Sequence, residues 1–388
     1  MITSFRARHI PVLFGPGAVA QTGAGVRERG IKRALCLFGR NVKASGIARR
    51  VIDSLEAAGV EVVAYDGVTA DTPDRMVNEA AALGRAEKVE AVVGIGGGSS
   101  LDAAKAVNVL MGNEPPINRY LGPGQSHRPG LPLFLIPTTA GTGSEVTSVA
   151  VVTDTATNAK RGVIGPATEA TLAIVDPELT LGLSPEITAL TGMDAFAHAV
   201  EACTSVRRNP MSDILAEKAI NLIMANLPQA LDDGWNLQVR YHLSFAALIA
   251  GAAFAESAVH LGHSLAHTLG AVYHISHGLG CAAVLPTVVQ YVAEAVPDGV
   301  RLVGRSMGLG LADDLPPAEL GAAVARAIGD FSRKVKVPHL KEVIGEKTLE
   351  SAEIERMVGL VLSDVCTTRS PRIPSPAEVE SLLRAAHH

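Results

Sequence analysis

The chain has 388 residues and a formal net charge of −5, enough length for two domains of ordinary size and too little charge to point to nucleic acid or an anionic membrane as partner. Hydrophobic residues make up 47% and aromatics 4%, the composition of an α/β or helical enzyme with a well-filled core. No apolar run reaches the ~18 residues of a membrane span, Met1 to Ile10 lacks the apolar core of a signal peptide, and the four cysteines (Cys36, Cys203, Cys281, Cys366) form no CxxC; we therefore expect a cytoplasmic protein without disulfides.

Up to Pro185, short β-branched runs alternate with helical stretches. Strands are expected at residues 34–38, 60–65, 91–95, 133–136, 147–153 and 173–175, and helices at 46–58, 75–88 and 101–110. This βαβα order predicts a parallel sheet covered on both faces. At Ser184-Pro185 the pattern changes: Ser184 suits an N-cap and Pro185 the first turn. Helical spacing then runs over 185–189, 193–204, 211–225, 235–258, 259–269, 279–294, 298–307, 316–335, 351–364 and 376–385. The expected architecture is an α/β dinucleotide-binding domain over 1–184 and an all-helical metal-binding domain over 185–388, with the active site in the cleft between them.

Two loops follow strands in the first half. Gly96-Gly97-Gly98-Ser99 stands where a strand gives way to a helix, and consecutive glycines let a backbone approach a pyrophosphate at the positive end of a helix dipole. The spacing is not GxGxxG, and such a turn is as readily a tight connection. Asp102 lies in the first helical turn, where a carboxylate is favoured by the dipole alone. The second loop, Pro137-Thr138-Thr139-Ala140-Gly141-Thr142-Gly143-Ser144-Glu145, offers hydroxyls for phosphate or ribose, or merely caps a turn.

The second half carries Asp194 and His198 four apart, and His263 and His267 four apart, with His277 beyond. Residues four apart share a helix face. An isolated pair of this kind is more often part of a satisfied core. Here His260, His263, His267, His274 and His277 crowd into eighteen residues of an Ala/Leu/Val-rich stretch, which is costly unless the rings coordinate, hydrogen-bond or line a wet cavity. One carboxylate with two or three imidazoles suits Fe²⁺ or Zn²⁺ and leaves a position open for substrate.

Together these segments resemble the iron-containing (group III) alcohol dehydrogenases of the dehydroquinate-synthase-like superfamily. The resemblance runs from Gly96-Gly97-Gly98-Ser99 with Asp102 and Lys105, through the Thr-rich loop, Asp176-Pro177 and Gly192-Met193-Asp194-Ala195-Phe196-Ala197-His198-Ala199-Val200-Glu201. It continues through His263-Ser264-Leu265-Ala266-His267 and His277-Gly278 to Asp364-Val365-Cys366. It implies Asp194, His198, His263 and His277 as metal ligands and His267 as an active-site histidine near the nicotinamide, the alternative for His267 being a fifth ligand. It implies dinucleotide contacts from Gly39, Asp71, Gly97, Gly98, Ser99, Asp102, Thr138, Thr139, Thr142 and Lys160, and a substrate pocket at Val149, Phe254 and Cys366. The implied cofactors are NAD or NADP with Fe²⁺ (or Zn²⁺), and the implied partners are a small alcohol or aldehyde and further copies of the chain as a homo-oligomer.

The chain departs from the family at three places. Gly39 stands where NAD-preferring members often carry an Asp, and is followed by Arg40 and Lys43; without that carboxylate a 2′-phosphate is not repelled, so NADP becomes accessible, unless both cations are simply solvated. Ala70-Asp71-Thr72-Pro73 replaces the usual Pro-Asn-Pro, and His260 replaces a commonly small residue. The expected activity is interconversion of a small alcohol and its aldehyde or ketone. A polyol or phosphorylated-polyol dehydrogenase, or a lyase, of the same superfamily is the runner-up; a non-catalytic nucleotide-binding protein is the reading from another class.

Overall fold

The structure, a computed structural model, describes residues 10–122, 124–157, 159–345 and 351–387. Contacts divide the chain into two compact units between Leu181 and Gly182.

In the first unit the strands are β1 (Val12–Phe14), β2 (Arg33–Gly39), β3 (Glu61–Val68), β4 (Ala91–Gly96), β5 (Leu133–Pro137), β6 (Val149–Asp154), β7 (Ala159–Ile164) and β8 (Leu172–Val175). Six of them form one parallel sheet in the order β1-β8-β5-β4-β2-β3. Its central strands are apolar on both faces, as a sheet covered by helices requires. Successive side chains alternate between two cores: Leu35, Leu37, Val92, Leu133 and Leu135 pack with residues of the helices Asp74–Ala86 and Gly98–Gly112. Cys36, Phe38, Val93, Ile95 and Ile136 pack with Val51 and Leu55 of the helix Ile47–Ala57.

Residues expected to add a further strand at 147–153 instead form β6, which pairs antiparallel with β7 as a separate two-stranded ribbon. Lys160, Arg161 and Gly162 hide β7 from a hydrophobic reading, because only Val163 of that strand is buried. The helix after the Gly-rich turn begins at Gly98, with Gly97 as extended N-cap, three residues earlier than apolar spacing indicated.

The second unit is helical among its described residues. Helices Pro185–Thr204, Pro210–Asp232, Leu237–Ser257, Leu261–Tyr273 and His277–Val292 are followed by Pro297–Ser306, Pro317–Lys334, Leu340–Ile344, Ser351–Ser363 and Pro376–His387. The expected break between 189 and 193 is absent. Gly192 continues the first helix and lets it approach a neighbour: a Cβ there would lie 2.5 Å from Leu227 Cδ1. Ala258, at φ 63°, closes the helix Leu237–Ser257, and the chain turns through 109° into Leu261–Tyr273. Among the described residues no single helix is long and apolar enough to cross a membrane.

Candidate active site

Three helices of the second unit converge on one group of donors. Asp194 and His198 lie one turn apart on Pro185–Thr204, His263 is in the first turn of Leu261–Tyr273, and His277 opens His277–Val292. One donor atom from each of these four residues lies within 4.8 Å of every other. His198 Nε2 and His277 Nε2 are 3.7 and 3.5 Å from Asp194 Oδ1, and the His198 and His263 rings stack with centroids 4.8 Å apart. These gaps are long for hydrogen bonds. They match donors that each stand ~2.1 Å from a shared centre, which places tetrahedral ligands about 3.4 Å apart. Three imidazole nitrogens and one carboxylate oxygen fit a borderline divalent ion such as Fe²⁺ or Zn²⁺.

The electrostatics keep the His263 and His277 rings neutral and their lone pairs available. Burial, then the neighbouring His198 and His267, hold His263 well below the ordinary imidazole value. His277 is held down to about 3 by burial first, against the opposing charge of Asp194, with the other histidines adding to the depression. A cation suits this cluster of imidazoles and one carboxylate.

Cys281, four residues after His277, presses its Sγ against the same atoms, 3.8 Å from Asp194 Oδ1, 3.6 Å from His277 Nε2 and 4.0 Å from His263 Nε2. Burial, then the Asp194 and Glu201 carboxylates, push its thiol well above the usual range. Phe254 stacks on His198, with centroids 4.3 Å apart. Sequence reasoning gave neither Cys281 nor Glu201 a role; the spacing of Cys281 from His277 was the available signal for the first.

His267 stands beside this group, its ring stacked on that of His277 at 5.4 Å. Its Nδ1 is 2.8 Å from Asp364 Oδ2. Asp364 in turn accepts the backbone N–H of Cys366 at 2.8 Å, as N-cap of the short helical turn Val365–Arg369. Burial raises the Asp364 carboxyl, but the hydrogen bond and charge of His267 outweigh it and bring it to about 2. His267, Asp364 and Cys366 are all partly exposed, and their donor atoms form a second group within 4.8 Å.

The residues expected to touch a dinucleotide gather in the first unit at the carboxyl ends of adjacent parallel strands, where open α/β sheets bind ligands. Gly39 ends β2, Gly96 ends β4 and Pro137 ends β5, with Gly96 and Pro137 in register. The Gly-rich and Thr-rich loops pack against each other. A Cβ on Gly98 would meet Thr142 Cγ2 at 2.7 Å, one on Gly97 would meet Thr139 Oγ1 at 3.3 Å, and Thr138 N–H bonds Gly96 O at 3.0 Å. Glycine at both positions is what lets the two loops pack this closely at the helix N-terminus.

Asp71 and Thr72 hold left-handed backbone, φ 63° and 46°. The Thr72 hydroxyl bonds Ser99 O at 3.1 Å, and Asp71 pairs with Lys160 at 2.7 Å, so this loop, Ser99 and Lys160 form one connected group. Asp102 has both carboxylate oxygens engaged by the protein, Oδ1 by the Ser144 hydroxyl at 2.7 Å and Oδ2 by Val151 N–H at 3.0 Å. Lys105, fully buried, bonds Thr147 Oγ1 at 3.1 Å and Val149 O at 2.8 Å. The two side chains thereby lash the Gly98–Gly112 helix to the segment leading into β6. Beyond Gly39, Lys43 pairs with Asp66 at 2.5 Å on the exposed surface. Val149 lies in the first unit, Phe254 and Cys366 in the second.

Known proteins match both units. The family of iron-containing alcohol dehydrogenases matches residues 11–177, and the C-terminal part of the Fe-containing alcohol dehydrogenase family matches residues 188–387. The NAD-dependent methanol dehydrogenase of Bacillus methanolicus is 32% identical over 374 residues, covering 96% of this chain and 97% of that protein. The 1,3-propanediol dehydrogenase of Klebsiella pneumoniae is 33% identical over 376 residues, covering 96% of both. A crystal structure of 1,3-propanediol oxidoreductase superposes with a TM-score of 0.93 at 31% identity over 100% of both chains. With the same likeness running through the sheet-bearing unit and the helical unit that gathers the histidines, the chain belongs to the iron-containing alcohol dehydrogenase family.

Proposed function

We propose that the protein interconverts a small alcohol and its aldehyde or ketone with NAD or NADP, using one divalent ion held by Asp194, His198, His263 and His277. The observation that carries this reading is the convergence of one carboxylate and three imidazoles, from three helices, with a donor atom of each within 4.8 Å of the others. A divalent ion in that position supplies Lewis-acid polarisation of the substrate oxygen, and a nicotinamide supplies the hydride acceptor or donor.

The protein's own groups do the rest. His267 exchanges the substrate hydroxyl proton at Nε2, because its Nδ1 is committed to Asp364. Asp364 remains a carboxylate throughout the physiological range and orients that ring. Phe254, flat against His198, and Cys366 give the substrate's carbon chain an apolar wall. In the first unit the bare backbone of Gly97 and Gly98 at a helix N-terminus receives the pyrophosphate, with Ser99, Thr138, Thr139 and Thr142 as hydroxyl partners. Asp71 and Lys160 contribute ribose contacts as a fixed ion pair.

Both nicotinamide cofactors are accepted in this reading. Gly39 carries no carboxylate against a 2′-phosphate, Arg40 follows it directly, and Lys43 is shared with Asp66. The protein works in the cytoplasm as a homo-oligomer of two or more copies. Four cysteines without a disulfide among them support a reducing compartment.

The test is nicotinamide reduction by short-chain alcohols with NAD and with NADP, using protein stripped of metal and then given Fe²⁺ or Zn²⁺. Metal-dependent turnover is expected. Equal rates in stripped and reloaded protein would overturn the metal role, and no turnover across alcohols and aldehydes would overturn the reaction.

A further inference from the structure

Glu201 is a buried carboxylate, 1% exposed, and burial of that charge is costly unless it is fully bonded. It lies seven residues after Asp194 and three after His198 on the helix Pro185–Thr204, so all three share one face. Its bonds all go to the start of the Leu261–Tyr273 helix. Oε1 accepts the backbone N–H groups of His260 at 3.1 Å and Gly262 at 2.9 Å. These are helix-start donors with no intrahelical partner, and no side chain of the N-cap residue bonds there. Oε2 is bonded to His263 Nδ1.

The surroundings are shaped to this carboxylate. A Cβ on Gly262 would lie 2.9 Å from Oε1 and 3.0 Å from Cδ, so the carboxylate occupies space that any other residue would fill. His260 is fully buried beside it, with Nδ1 3.4 Å from Oε1 and Nε2 2.8 Å from Thr204 Oγ1.

A neutral imidazole carries a single N–H. With that proton on Nδ1 and given to Glu201, Nε2 keeps its lone pair. Nε2 is the atom 4.0 Å from Cys281 Sγ, which itself touches Asp194 and His277. Without the carboxylate the proton is free to sit on Nε2 and would aim an N–H at the other donors.

We propose that Glu201 is the positioning residue of this site: its carboxylate, anchored on the Leu261–Tyr273 helix start, fixes the ring and tautomer of His263 so that Nε2 faces the donors of Asp194, His198 and His277. The proposal rests on the reading that these four residues hold the metal. A carboxylate behind a ligating imidazole raises its basicity and fixes its direction, and losing one weakens metal binding by ~10–100-fold.

The experiment measures Zn²⁺ affinity by chelator competition and the visible spectrum of the Co²⁺-loaded protein. It compares wild type, His198→Ala, Glu201→Gln, Gly262→Ala and Thr204→Val. Glu201→Gln should weaken Zn²⁺ by ~10–100-fold and shift the cobalt bands; Gly262→Ala, which keeps the charge but displaces the carboxylate, should weaken it by a smaller factor. Thr204→Val, which removes a hydroxyl bonded to His260 and to the backbone oxygens of Val200 and Glu201 but leaves the Glu201 carboxylate in place, should change neither reading. In wild type without metal, ¹⁵N shifts of the histidine rings should show His263 protonated on Nδ1, a measurement independent of any variant's folding. A His263 proton on Nε2, wild-type affinity and spectrum in Glu201→Gln or Gly262→Ala, or equal weakening by Thr204→Val would overturn the proposal. Unchanged Zn²⁺ binding in His198→Ala would instead overturn the metal site itself.

Discussion

Asp364→Asn removes the negative charge behind His267. The amide is close to isosteric but has a single acceptor oxygen, where Asp364 uses Oδ1 for the Cys366 N–H and Oδ2 for His267 Nδ1, so the variant loses the charge and one of these two hydrogen bonds together. A carboxyl brought from its ordinary 3.8 to about 2 corresponds to about 2 kcal/mol of favourable interaction with its surroundings, at 1.36 kcal/mol per decade. His267 is the largest favourable contributor to that lowering, and the Asp364 side chain is only 18% exposed, so solvent screening removes little of it. If His267 gains the alcohol's proton during turnover, the imidazolium loses the Asp364 charge in the variant, and kcat should fall by at most about thirtyfold, because the Cys366 bonds account for part of the Asp364 lowering. The assay is steady-state kinetics in the alcohol direction, with metal content measured on the same samples. A rate within twofold of wild type would refute the relay. A slow variant that had also lost its metal would show that the pair serves the ligand shell instead.

His263→Ala should abolish both metal binding and turnover, read by metal analysis and rate; full occupancy in that variant would contradict the ligand assignment. His267→Ala should keep its metal and lose rate, whereas loss of metal would make His267 a fifth ligand. Gly39→Asp should move the kcat/KM ratio toward NAD, because Gly39 has ordinary extended backbone and its Cβ meets only Val68 O at 3.1 Å; an unchanged ratio would place the adenosine pocket elsewhere. Lys105→Met should destabilise the fold by ~3 kcal/mol in urea titration, since the buried Asp102 and Glu145 carboxyls, both raised by burial, lose the cation that opposes it. On the acid side, Asp364 is lowered on folding, so its contribution is complete above the unfolded value near 4 and is lost as pH falls toward about 2. Asp364→Asn should remove that part of the acid sensitivity.

The donors were legible because helical spacing puts Asp194 with His198 on one face, and because clustered histidines on an apolar stretch need a reason to be there. The parallel sheet was legible because β2, β4 and β5 are apolar on both faces. Glu201 escaped notice because a carboxylate one turn beyond a histidine reads as a solvent face; only the third dimension shows the N-terminus of another helix waiting for it. Cys281 reads as one more small apolar residue until its sulfur is placed against three donor atoms. The β6–β7 ribbon was half legible, since β7 buries a single side chain and carries two cations. Gly192 looked like a break because a glycine in a helix usually weakens it, yet here it marks a close crossing with Leu227. Asp102 read as a helix-dipole residue or a cofactor contact, and its bonds to Ser144 and Val151 show that it also braces the Gly98–Gly112 helix against the Thr-rich loop and β6.

In the proposed reaction one divalent ion, held by Asp194, His198, His263 and His277, is required for nicotinamide-linked alcohol oxidation. Its most direct test is anaerobic titration of the stripped protein with Fe²⁺, following bound metal and NAD reduction together. Both should rise in proportion and saturate at one ion per chain, and His198→Ala should show neither. Full turnover in stripped protein, or activity that continues to climb after one equivalent is bound, would contradict it.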